Sequence, residues 1–166
     1  MSISTTTNRV TYACNGSNVN FAFAFPILDI DHLEVIKRTV ADGTEEVLDY
    51  TTEYTVYALN NDFSAGGVVT TVGTALSSDY ELCILRVTPA TQETDYTDGS
   101  AFPAESHEDA LDKLTLLVQD LQEKVARCLM VPVSEVDGTT NLVLPDKFDR
   151  ANKALSFDSD GNPVVL

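Results

Sequence analysis

Residues 19–25, VNFAFAF, alternate strictly in size. Val19, Phe21, Phe23 and Phe25 fall on one face of an extended strand, and Asn20, Ala22 and Ala24 fall on the other. A face of that bulk demands cover, so the strand belongs in a sheet packed against a second layer. Pro26 closes the strand by removing an amide donor. Similar short runs recur along the first half of the chain: TYAC before Asn15-Gly16, HLEVIKRTV (32–40), EEVL after Asp42-Gly43, YTVYAL (54–59), VVTTV (68–72) and YELCILRV (80–87). Asn15-Gly16 and Asp42-Gly43 read as hairpin turns, and Asn60-Asn61-Asp62 and Gly66-Gly67 as turns leading into VVTTV. About seven strands with no helix-length pattern between them predict a mainly β fold, an antiparallel sandwich or barrel-like domain, and exclude a Rossmann arrangement.

The pattern changes after Phe102. Pro103 suits a first helical turn, and Glu105, Glu108 and Asp109 suit the positive end of the helix dipole. Leu111, Leu114, Val118, Leu121, Val125 and Cys128 then recur at gaps of three and four, a short heptad seam with His107 in register upstream. The helix is expected to run to about Met130, because Pro132 follows. Such a stripe either packs on its own domain or associates with other copies. Leu116 and Leu117 widen the apolar face, and the polar stretch TDYTDGSAFPAE leaves room for the helix to project. Both features favour association, so oligomerisation is assigned to Leu111, Leu114, Val118, Leu121 and Val125. By the heptad rule alone, Val at a with Leu at d leans toward a dimer. The turn Thr94, Asp95, Tyr96, Thr97, Asp98, Gly99 and Ser100 is expected to set the geometry of the β-to-helix junction. Further on, residues 141–145 (NLVLP) look strand-like, and ALSF and PVVL flank Asp160-Gly161 as a terminal hairpin. The expected organisation is a β-domain at 1–100, an oligomerising helix at 101–130 and a C-terminal extended or hairpin segment at 131–166, an antiparallel β-domain followed by one coiled-coil-like helix and a short β segment.

Composition narrows the function classes. With 26 Asp plus Glu against 10 Lys plus Arg, the formal charge is −16, which repels nucleic-acid backbones and anionic membranes. Neither is expected as a partner. The sequence has no signal-peptide pattern and no apolar run long enough for a membrane-spanning helix. Cys14, Cys83 and Cys128 lack Cys-x-x-Cys spacing, which argues against a disulfide framework or a zinc site and fits a reducing compartment. Cys83 and Cys128 read as small core residues.

Chemistry is not advertised. His107 reads as interfacial or capping and His32 as solvent-facing. Asp158-Ser159-Asp160-Gly161-Asn162 reads as a tight turn, because a calcium loop needs a bidentate Glu at its twelfth position and the chain supplies none. Phosphate-cradling, Rossmann and His-Glu-x-x-His patterns are missing. No catalytic residue, metal site or cofactor is expected, and the chain is not expected to be an enzyme. A carbohydrate- or receptor-binding β-module is the alternative class, against which the lack of Trp argues.

Three segments carry a resemblance to a known family: TYACNGSNVNFAFAFP, DYTTEYTV, and above all LRVTPATQETDYTDGSAFPAESHEDALDKL (85–114). Over residues 4–127 the chain resembles the amino-terminal tail-attachment domain of T-seven-like podophage tail fibres and tailspikes. The resemblance implies a homotrimeric β-domain that docks on the phage tail or its adaptor ring, with the helices starting a trimeric stalk. It places the protein in the virion tail, assembled in the bacterial host cytoplasm, with a separate tail fibre or tailspike as a possible further partner. The sequence stops at Leu166 without a long shaft, which suggests either a stand-alone adaptor or a truncated fibre.

Overall fold

The computed structural model describes residues 3–60, 62–92, 94–95, 104–132, 134 and 142–166. Strand β1 (Arg9–Ala13) joins β7 (Tyr80–Arg86), β3 (Leu33–Thr39) and β4 (Glu45–Val47) in one antiparallel sheet, in the order β1-β7-β3-β4. Strand β2 (Asn20–Phe23) joins β6 (Asp62–Thr71) and β5 (Tyr54–Asn60) in a second, in the order β2-β6-β5. The inward residues of both sheets form one buried cluster. Phe21, Phe23 and Val69 come from the smaller sheet and Leu33, Val35, Leu82 and Ile84 from the larger, with Phe25, Ile27, Leu48 and Cys14 filling the ends. This is the layered β architecture that the alternation of residues 19–25 requires. Rings make much of the contact, with Tyr12 5.5 Å from Phe21 and Phe23 4.9 Å from Phe25.

Three local expectations change. Asn15-Gly16 does not close a hairpin, because β1 and β2 lie in different sheets. Gly16 does take a positive φ of 73°, and the Asn15 side chain accepts hydrogen bonds from the Ser17 and Asn18 amides. The turn therefore serves a crossover, with Val10 and Tyr12 packing on the core from one layer and Phe21 and Phe23 from the other. Asp42-Gly43 does turn β3 into β4, with Asp42 accepting from the Thr44 amide. Gly66-Gly67 lies inside β6, which begins at Asp62. Gly66 has φ 85°, and a Cβ there would strike the Phe23 backbone carbonyl; one on Gly67 would sit 2.6 Å from the Tyr57 carbonyl oxygen. The two glycines let β6 lie close to its neighbours where a side chain would hold them apart. Cys83 also departs from expectation: Cys14 is core, whereas Cys83 lies on the outer face of β7, half-buried between Thr11 and Ile36.

After β7 the chain reaches one long helix, α1 (Ala104–Ala126). It is rich in Ala, Leu, Glu, Gln and Lys and free of Gly and Pro, so its backbone has no reason to break. It stops before Cys128, which is exposed and not part of the helical stripe. By contact density the chain divides into two compact units, Met1–Arg127 and Cys128–Leu166. In the second, a short helix α2 (Lys147–Arg150) is capped by Asp146, which accepts from the Phe148 amide. Strands β8 (Leu155–Phe157) and β9 (Pro163–Val165) pair as the expected hairpin. Residues 142–145 are irregular rather than strand. Asp158 accepts from the Asp160 and Asn162 amides, both at 2.9 Å, and these backbone bonds hold its carboxyl below the usual range. That carboxylate is engaged in closing the turn.

Gly66→Ala should cost about 2 kcal/mol or more, since it forces both an unfavourable φ and a backbone collision. Urea denaturation should show a lower midpoint, and an unchanged midpoint would refute the close approach of β2 and β6.

Candidate functional site

The sequence places Leu82, Ile84 and Arg86 on one face of β7, and the structure buries all three. A guanidinium at a core position is untenable without partners, since its desolvation costs several kcal/mol. Helix α1 supplies them. Arg86 Nε donates to Asp120 Oδ1 at 2.9 Å, one terminal nitrogen donates to the Gln119 side-chain oxygen at 2.8 Å, and the other to the Pro26 carbonyl at 3.1 Å. Burial pulls the Arg86 pKa down from its ordinary value and the charge of Asp120 opposes that, so the guanidinium remains a cation.

Asp120 is engaged on both oxygens. Oδ1 also accepts from Asn8 Nδ2 at 3.1 Å, and Oδ2 accepts from the Thr88 amide at 2.9 Å. Gln119 donates onward to the Thr5 carbonyl at 2.9 Å. One turn further, Glu123 pairs with Arg9 at 3.0 Å and with Arg127 at 2.8 Å. Leu116, with no exposure, seals the interface and contributes about 1.5–3 kcal/mol of apolar burial. The helix is thus clamped across the β1–β7 end of the sandwich by Leu116, Gln119, Asp120 and Glu123, with Asp112 buried on the same face. It does not project freely, as the long polar connection suggested.

The clamp decides where the heptad seam points. At about 100° per residue, the mean direction of Leu111, Leu114, Val118, Leu121 and Val125 lies on the side of the helix opposite Leu116. Each of the five is 44–61% exposed. The seam therefore does not pack on its own domain, and the helix is inverted: acids face the protein and aliphatics face outward. His107 is exposed in the first turns.

Of the expected junction residues, Thr94 is half-buried, with its amide donating to the Gln92 side chain at 2.9 Å, and Asp95 is exposed. Tyr96, Thr97, Asp98, Gly99 and Ser100 lie outside the described residues. The buried polar residues Asn8, Arg86 and Asp120 were not foreseen. The signal was available in the alternation of YELCILR, which turns Arg86 inward and so calls for a buried acid.

His32 is half-buried rather than solvent-facing, its amide accepting a place in a short turn by donating to Asp29 and its carbonyl accepting from Val87. With Leu28, Asp29, Asp31, Val87, Pro89 and Lys113 it lines an open groove of about 640 Å³. Among the described residues no cluster of His, Cys, Asp and Glu could hold a metal ion, and no helix is long and apolar enough to cross a membrane.

Comparison with known proteins adds a relative. The chain is 28% identical, over 215 aligned positions covering all of its length, to the tail spike protein of Salmonella phage epsilon15. It is similar to a piece of a phage tail spike. The match takes in 20% of that protein, so the chain spans about a fifth of its relative's length. No family model matches.

Asp120→Ala should destabilise the protein by about 3–5 kcal/mol, because it strands a buried guanidinium. The double variant Arg86→Met, Asp120→Leu should recover most of that loss. Thermal or urea unfolding of the two variants checks this: equal damage in both would mean that the pair is not the coupled unit described.

Proposed function

We propose that the protein is a structural component of a phage tail, an anchor or adaptor connecting the tail to a receptor-binding fibre or spike. In this reading it works as a homotrimer in the virion, is assembled in the host cytoplasm and acts without a catalytic centre. The likeness to a tail spike protein supports a role in the tail. The observation that carries the assembly is the outward seam. A helix held by Asp120 and Leu116 leaves five aliphatic side chains in water, an arrangement stabilised when like helices meet.

Mechanistically, the sandwich would grip the tail while the clamped helices of three copies join along Leu111, Leu114, Val118, Leu121 and Val125. Linking three docking surfaces raises their effective concentration, so modest contacts per copy hold firmly. The clamp would then fix the angle at which the joined helices leave the β-domain.

Light scattering on the purified chain should give three times the 18.0 kDa chain mass. Leu114→Asp with Leu121→Asp should reduce it to the single-chain mass while leaving the β-rich circular dichroism intact, since both side chains are exposed. A wild-type monomer would remove the trimer reading. Binding of host polysaccharide by the chain alone, with no capture of tail proteins, would favour a carbohydrate- or receptor-binding module instead.

A further inference from the structure

Alternation along two strands turns polar side chains inward at one end of the sandwich. Lys37 follows Leu33 and Val35 on the inner face of β3 and lies opposite core residue Leu82. Thr71 follows Val69 on the inner face of β6 and lies opposite buried Tyr54. Both positions call for an aliphatic residue, and neither has one. Thr71 is 7% exposed, and its hydroxyl has no hydrogen-bond partner among the described residues. A buried hydroxyl in that state is a standing cost that an incoming polar group removes.

The two residues meet at a cavity of about 110 Å³, lined also by Thr52, Glu53, Leu48 and Leu76. Its charges are held in place. Lys37 Nζ lies 2.6 Å from Glu46 Oε2 and 5.5 Å over the Tyr80 ring. The bond to Glu46 raises the Lys37 pKa against the pull of burial, and the charge of Glu53 adds to it, so the side chain is an ammonium with donors to spare. Glu53 is fixed at both ends. Its carboxylate accepts from the Asp49 amide at 2.8 Å, and its carbonyl accepts from the Val72 amide at 2.8 Å.

This lining selects its ligand by chemistry. Two carboxylates stand against one ammonium, which turns away phosphates and carboxylates. A wholly apolar molecule would leave the ammonium, Glu53 and Thr71 without partners. A hydroxyl both donates and accepts, so it serves Glu53 and Lys37 alike, while the C–H groups beside it lie on Leu48 and Leu76. The cavity offers several times the room of one water and less than the roughly 150 Å³ that encloses benzene, so it admits one diol unit of a larger molecule.

We infer that this end of the sandwich binds a neutral polyhydroxyl compound through one vicinal diol. One hydroxyl donates to Glu53, its neighbour accepts from Lys37, and Thr71 completes the set from the opposite sheet. The site adds to the tail reading and does not depend on it. With so little area buried, a dissociation constant of about millimolar is expected. A free polyol and the terminal sugar of a glycan offer the same diol, and the test separates them.

The full chain, labelled with nitrogen-15, is titrated with glycerol and, separately, with the methyl glycosides of glucose, galactose and mannose. Saturable amide shifts at Lys37, Thr52, Glu53, Thr71 and Val72 are expected, and sodium phosphate should produce none there. Saturation by a glycoside alone assigns the site to a glycan end, and saturation by glycerol as well assigns it to free polyols; both support the inference. Thr71→Val keeps the shape, removes the hydroxyl and should weaken binding about fivefold, and Lys37→Met should weaken it about tenfold. Thr71→Val should also unfold at no lower temperature than the wild type, because it places an aliphatic side chain at an inward position. Shifts that rise without saturating, saturation by phosphate, or binding that neither variant weakens overturns the inference. A raised unfolding temperature in Thr71→Val with no probe bound by the wild type also overturns it, since the inward polar residues then serve water alone.

Discussion

A guanidinium buried inside a β-sandwich is stable only if every donor that matters has an acceptor waiting, and for Arg86 most of those acceptors sit on another element. Asp120 and Gln119 come from α1 and the Pro26 carbonyl from the exit of the aromatic strand. Turning the helix by one residue, about 100°, would carry Asp120 away from Arg86 and leave both charges in low dielectric. Apolar packing alone tolerates small slips; this arrangement does not. The remainder of the helix contact, including Leu116 and the Glu123–Arg9 pair, follows from that one register.

The same constraint explains why the helix wears its apolar residues outward. An amphipathic helix ordinarily presents its aliphatic stripe to the core. Here the inner stripe is Asp112, Leu116 and Asp120, and the bonds to Asp120 alone involve Arg86, Asn8 and Thr88. The strong, directional bonds are spent on orientation, and the non-directional apolar surface is left available. The division holds the helix at one attitude and leaves its aliphatic stripe exposed.

Much of the fold was legible because alternation in a strand is a direct image of two-sided burial. VNFAFAF, HLEVIKRTV and YELCILRV all appear as strands, and Asp42-Gly43 and Asp160-Gly161 turn where their residues allow it. Pairing was less legible. Asn15-Gly16 has the chemistry of a hairpin turn, yet a turn residue reports only a local reversal, and whether the next strand joins the same sheet depends on which layer its large side chains must fill. The helix taught a sharper lesson. The heptad seam was readable as a pattern, but which face would dock was not, because Asp112 and Asp120 resemble solvent residues until Arg86 is recognised as turned inward. Two facts read separately, an inward arginine and an acid on a helix, acquire meaning only as a pair.

The clamp also has a mechanical consequence. Its bonds lie in the second half of α1, at Gln119, Asp120 and Glu123, and they run to β7 and to the segment entering β1. A pull applied at Arg127 is therefore taken up first by these lateral bonds and passed into strands that are laced side by side along their length. Through those bonds the helix behaves as a bracket bolted to the sheet rather than as a tether.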